Sequence, residues 1–132
     1  MNVLKLRLPS HPNSISEVEP FVKKIALRYS ISQDKYPNIL ISLTEAVNNA
    51  INHGNKNDQN KFVNIGLTQT SSKLCIKVED EGCGFDPTEV PDPTAPENLG
   101  CCGGRGVFLI RELSDDVRYV RNGCVVEMFF KL

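Results

Sequence analysis

The chain has 132 residues, 40% of them hydrophobic and 23% charged, which is the size and composition of one globular domain, 1–132, burying roughly two-thirds of the surface its unfolded chain exposes. Its formal net charge of −1 includes no block of five like charges, so nothing pulls it broadly toward nucleic acid or an anionic membrane, and any phosphate it binds must be gripped locally. No run approaches the ~18 apolar residues of a spanning helix, and Met1-Asn-Val-Leu-Lys-Leu-Arg7 alternates rather than forming a signal segment, so the cytoplasm is the expected compartment.

From the N-terminus, Leu4, Leu6 and Leu8 alternate with Lys5 and Arg7 over Val3 to Leu8, the pattern of a half-buried strand. A turn over Pro9 to Asn13 follows. Ser14-x-x-Glu17 and Ser16-x-x-Glu19 both have the spacing of a capping box, and Val18, Phe21, Val22, Ile25 and Tyr29 recur at helical intervals. Pro20 favours the later start, because proline is tolerated only in a helix's first turn.

A second helix is predicted from Ser32 to Pro37 onward, running to His53, where Gly54 stops it. Leu40, Leu43, Val47, Ala50 and Ile51 share one side of it; Glu45, Asn48, Asn49, Asn52 and His53 share the other. A merely solvated face would carry Lys, Glu, Gln and Arg, since Asn competes with the backbone for hydrogen bonds and is a poorer helix former. Three Asn and a His beside one Glu cost helix stability and suit a site where polar side chains meet a metal and a phosphate.

A polar loop over Asn55 to Asn60 leads to a strand with Val63, Ile65 and Leu67 inward, a Ser71-Ser72 turn, and a second strand with Leu74, Ile76 and Val78 inward. By the same parity Asp80 points inward, where a carboxylate needs a hydrogen-bond donor from the protein or a ligand. Gly82-Cys83-Gly84 then permits backbone to approach a planar ligand closely. Asp-x-Gly-x-Gly also occurs in calcium loops, but the twelfth position from Asp80 is Pro91 rather than the glutamate an EF-hand requires.

Pro87, Pro91, Pro93 and Pro96 punctuate an irregular segment over Asp86 to Cys102, and loops of that length in compact domains are usually functional. It closes on Gly100-Cys-Cys-Gly103-Gly104-Arg105-Gly106, after which Val107, Leu109, Ile110 and Leu113 mark a helix. Glycines opening a helix expose several backbone N–H groups at the positive end of its dipole, as a phosphate chain requires; a flexible hinge is the plain structural alternative. The chain ends with a hairpin: Val117 to Val120, an Asn122-Gly123 turn of the I′ type, and a strand with Val126, Met128 and Phe130 inward. The five cysteines, Cys75, Cys83, Cys101, Cys102 and Cys124, include no C-x-x-C pair and are expected to be reduced thiols. With only His11 and His53 elsewhere, a structural zinc site is not expected; the vicinal Cys101-Cys102 leaves a redox or metal device open.

Glu45-x-x-x-Asn49-Ala50 with His53-Gly54, then Asp80-x-Gly82-x-Gly84-Phe85, then Gly104-x-Gly106, occur in the order of the N, G1 and G2 boxes of the GHKL (histidine kinase-like, HSP90-like) ATP-binding superfamily, which the chain resembles over nearly its whole length. The wording Glu45-Ala-Val-x-Asn-Ala-Ile-x-His-Gly54 most resembles bacterial anti-sigma factors that are also serine-protein kinases. The resemblance implies an α+β fold, a two-layer α/β sandwich of the Bergerat type with helices on one face of a mixed, mostly antiparallel sheet. It further implies that Asp80 accepts a hydrogen bond from the exocyclic amine of adenine and that Gly84 leaves room for the ring. Asn49 would offer its amide oxygen to Mg²⁺, and Glu45, one turn earlier, would be the general base. His53, Gly82, Gly103, Gly104, Arg105, Gly106 and Val107 complete the implied nucleotide contacts, Arg105 reaching the γ-phosphate or a partner, or else being a solvated arginine at a helix start.

The implied activity is an ATP- and Mg²⁺-dependent serine/threonine-protein kinase, an anti-sigma regulatory factor that phosphorylates a STAS-domain anti-anti-sigma protein and otherwise sequesters an RNA polymerase sigma factor, working as a homodimer without binding nucleic acid or membrane directly. The alternative from a different class is a nucleotide-gated binding module that transfers no phosphate. Many superfamily members carry a Thr in the last strand near the adenine carboxylate; this chain has Cys124, Val125 and Val126 after its turn, so adenine contacts there differ in detail.

Overall fold

Five stretches of alternating residues pair into one sheet because each has a single apolar face to bury. The computed structural model describes residues 3–70, 72–81, 104–120 and 125–131. In chain order these form β1 (Val3–Pro9), a 3₁₀ turn (Pro12–Glu17), α1 (Val18–Arg28), α2 (Tyr36–Asn49), a π-helical turn (Ala50–Gly54), β2 (Phe62–Gln69), β3 (Lys73–Glu79), α3 (Gly104–Leu113), β4 (Asp116–Val120) and β5 (Val125–Lys131). The sheet order is β1-β2-β3-β5-β4. Every pairing among the described strands is antiparallel, so the expected mixed sheet shows only its antiparallel part.

The parity read from the sequence is the parity of the fold. Val63, Ile65 and Leu67 of β2, Leu74, Ile76 and Val78 of β3, and Val126, Met128 and Phe130 of β5 join one buried cluster with Val18, Phe21, Val22 and Ile25 of α1, the apolar side of α2, and Ile110 of α3. Each such side chain contributes about 1.5–3 kcal/mol by leaving water. Alternate residues on the far face, among them Lys5, Arg7 and Lys77, are exposed. Leu8 is buried in this core and Leu4 and Leu6 pack against it. The three leucines of β1 are therefore used by the protein's own interior, and among the described residues β1 is an edge strand, paired only with β2.

The two capping boxes do not form. Pro12 starts a helical turn earlier than the serines suggest, and both hydroxyls bond backward to carbonyls, Ser14 Oγ to Pro9 O and Ser16 Oγ to Asn13 O, each at 2.8 Å. Glu17, the cap residue of α1, makes no side-chain cap bond; His11 Nδ1 instead caps the 3₁₀ turn by accepting from the Asn13 N–H at 3.0 Å. Pro20 does lie in the first turn of α1. The second helix ends where predicted, but by a different geometry. α-Helical bonding stops at Asn49, and the remaining turn is a wider π turn, closed by Asn55 N–H donating to Ala50 O at 2.8 Å. The expected turns at Ser71-Ser72 and Asn122-Gly123 fall wholly or partly outside the described residues.

Candidate functional site

The polar face of α2 keeps its side chains at the edge of solvent. Glu45, Asn48, Asn49 and His53 are half-buried and only Asn52 is exposed, while Ala46, Val47, Ala50 and Ile51 on the other side are buried. Glu45 and Asn49 are four residues apart, one turn along the same face.

Asp80 follows the last residue of β3 and continues its inward parity, with 8% of its surface exposed. What lies against it is Gly54, the end of the π turn. A Cβ built on Gly54 would stand 2.8 Å from Asp80 Oδ1 and closer still to Oδ2 and Cγ. Only a residue without a side chain lets the helix end come this near the carboxylate. The first and second boxes, 26 residues apart in sequence, are thereby in contact, and the polar face of α2 leads directly to the buried acid.

A hydrogen-bonded ring holds that contact in place, and sequence reasoning missed it. Asn55, placed in a polar loop by composition, is 1% exposed. Its Nδ2 donates to Ser10 Oγ at 2.6 Å and to Phe62 O at 3.0 Å, and its Oδ1 accepts from the Glu81 N–H at 2.7 Å. Glu81 Oε1 accepts in turn from the Phe62 N–H at 2.7 Å, and Ser10 donates both its N–H and its hydroxyl to Lys61 O. The ends of β1, β2 and β3 are thus tied to the end of the helix. The only hint in the sequence is the neighbouring Gly54, since an asparagine after a glycine reads equally well as a solvated turn.

α3 begins at Gly104, as the glycine-opened helix was expected to, and packs against α2, the helix that carries Glu45 and Asn49. Gly104, Arg105, Gly106 and Val107 form its first turn; their backbone is helical and their side chains lie outside the description. Gly82, Gly84, Gly103 and the segment Asp86 to Cys102 lie outside the described residues. Of the candidate site residues, Glu45, Asn49, His53 and Asp80, with Gly54 beside them, are therefore the ones whose surroundings are seen. Two open depressions elsewhere, one on the outer sheet face around Lys5, Arg7, Gly66 and Lys77 and one beside β1 around His11 and Glu17, do not include Glu45, Asn49 or Asp80. Among the described residues no helix is long and apolar enough to cross a membrane.

Comparison with known proteins agrees with this geometry. Residues 8–130 match the histidine kinase-like ATPase domain family. The chain is similar to the serine-protein kinase RsbW of Oceanobacillus iheyensis, with 27% identity over 135 residues covering 97% of this chain and 85% of that protein. It is 29% identical to the RsbW of Listeria monocytogenes over 95% of this chain and 84% of that one, and 26% identical to the RsbW of Bacillus subtilis over 87% and 76%. In fold it resembles the crystal structure of the RsbU and RsbW domains of Rv1364c from Mycobacterium tuberculosis, with a TM-score of 0.68 and 13% identity; that likeness covers 99% of this chain and 31% of the longer one. With residues 8–130 matched, nearly the whole of its length, the chain belongs to the histidine kinase-like ATPase domain family.

Proposed function

We propose that this protein is an ATP- and Mg²⁺-dependent serine/threonine-protein kinase that acts as an anti-sigma regulatory factor. It phosphorylates a STAS-domain anti-anti-sigma partner and, when not so engaged, sequesters an RNA polymerase sigma factor in the cytoplasm. The observation that carries the reading is the contact of Gly54 with the buried Asp80, at the end of a helix whose polar face presents Glu45 and Asn49. The similarity to serine-protein kinases supports the same activity.

In this reading Asp80 accepts a hydrogen bond from the exocyclic amine of adenine. Guanine carries a carbonyl at that ring position, so the site selects adenine. Asn49 supplies an amide oxygen, a hard donor of the kind Mg²⁺ prefers, and its half-burial suits a metal that keeps most of its waters. Bound there, Mg²⁺ would gather the triphosphate oxygens and neutralise their charge. Glu45, a turn away, takes the proton of the attacking hydroxyl. His53, Gly82, Gly84, Gly103, Gly104, Arg105, Gly106 and Val107 line the nucleotide, with the opening turn of α3 serving the phosphates. The protein acts as a homodimer, for which β1, the edge strand among the described residues, is available; light scattering that returns only the monomer mass would contradict this.

Mass spectrometry of a STAS-domain partner after incubation with the protein and MgATP tests the activity. A phosphoserine or phosphothreonine that appears only when the protein is present is the expected result. A partner left unmodified, while a sigma factor is still held in an ATP-dependent complex, would replace transfer with nucleotide-gated binding.

A further inference from the structure

The geometry points to Asn55 as the positioning residue that aims Asp80 at the nucleotide base, and hence as a determinant of base selectivity. The inference rests on the reading of Asp80 as the adenine-binding group. Asn55 follows Gly54 directly, and the π turn is what brings it inside: its N–H closes the turn on Ala50 O, and its side chain is then almost wholly buried. A buried amide is tolerated only when its donors and its acceptor are used. Here they are, with Ser10 Oγ and Phe62 O on Nδ2 and the Glu81 N–H on Oδ1.

The bond to Glu81 matters most, because the Glu81 N–H belongs to the same peptide unit as the Asp80 carbonyl. Asn55 therefore grips the backbone of Asp80, while Gly54 abuts its carboxylate. Gly54, the last residue of the π turn, and Asn55, its cap, hold the acid by side chain and main chain respectively. The grip is anchored at its other end by Ser10 and by the Phe62 carbonyl, and Glu81 Oε1 on the Phe62 N–H locks the strand end from its own side. A hydrogen bond that the carboxylate accepts from the exocyclic amine weakens steeply as its angle departs from linear. Fixing the direction of Asp80 is thus a requirement for reading the base, separate from supplying the carboxylate.

Binding of three probes tests this: ATP, purine riboside triphosphate, which has hydrogen in place of the amine, and Mg²⁺-tripolyphosphate, which has no base. The wild type should favour ATP over the amine-less nucleotide by about 10- to 100-fold, the value of one charge-assisted hydrogen bond. Asn55→Ala should reduce that preference to within a few-fold while tripolyphosphate binding persists, and in an Asp80→Asn background it should change the preference no further. Should Asn55→Ala fail to fold, Ser10→Ala removes one of the two acceptors of the same amide, keeps the bond to Glu81, and should lose part of the preference. An Asn55→Ala protein, or in its place a Ser10→Ala protein, that keeps the full preference overturns the proposal, as does one that loses ATP and tripolyphosphate in equal measure. If Asp80→Asn itself keeps the preference, the adenine assignment fails, which is distinguishable from Asp80→Asn losing it while Asn55→Ala does not.

Discussion

Gly54 and Asp80 meet with no room for a methyl group between them: a Cβ at residue 54 would sit 2.8 Å from Asp80 Oδ1 and nearer to the other carboxylate atoms. Gly54→Ala must therefore push the acid aside or part the helix end from β3. The expected cost is about 1–3 kcal/mol in stability, typical of overpacking, together with weaker ATP binding. Urea denaturation and calorimetry measure the two, and an alanine variant unchanged in both would show that the carboxylate yields freely.

Asn49→Ala should uncouple nucleotide binding from the metal. The wild type is expected to bind ATP more tightly as Mg²⁺ is raised, because metal and nucleotide are linked through one complex. The variant should show little of that dependence while ATP binding without metal stays near the wild-type value. A titration with the full Mg²⁺ response would remove Asn49 from the metal's surroundings.

Burial pushes the Tyr119 hydroxyl up to about 12, with the Arg111 charge pulling weakly the other way. The folded state thus holds this proton more tightly than the unfolded chain. The associated stability is complete below the ordinary tyrosine value of about 10 and is lost as pH rises from there toward about 12. Alkaline denaturation should therefore steepen above pH ~10 in the wild type and be blunted in Tyr119→Phe. Equal pH profiles for the two proteins would contradict the shift.

The alternation of Val63 to Leu67 and Leu74 to Val78 makes the sheet's inner face legible, and the same parity carried just past β3 places Asp80 inward, where it is buried. The polar face of α2 was legible for the same reason, since periodicity is a local property. Asn55 was not, because its burial depends on Ser10, Phe62 and Glu81 arriving from three separate strands. Gly54 reads as a helix stop, but its service to Asp80 is a contact across 26 residues that no local pattern encodes. The capping boxes failed for a related reason: the turn starting at Pro12 brings the Pro9 carbonyl to Ser14 and the Asn13 carbonyl to Ser16, and each hydroxyl donates there instead.

The rate of phosphate transfer by Glu45→Gln tests the central claim most directly. Glutamine keeps the shape and reach of Glu45 on its half-buried helix face but cannot accept a proton. With radiolabelled ATP and a STAS-domain partner, transfer is expected to fall by about 10²- to 10⁴-fold, the usual contribution of a general base, while ATP and partner binding persist. A Glu45→Gln protein that transfers phosphate as fast as the wild type would contradict the account.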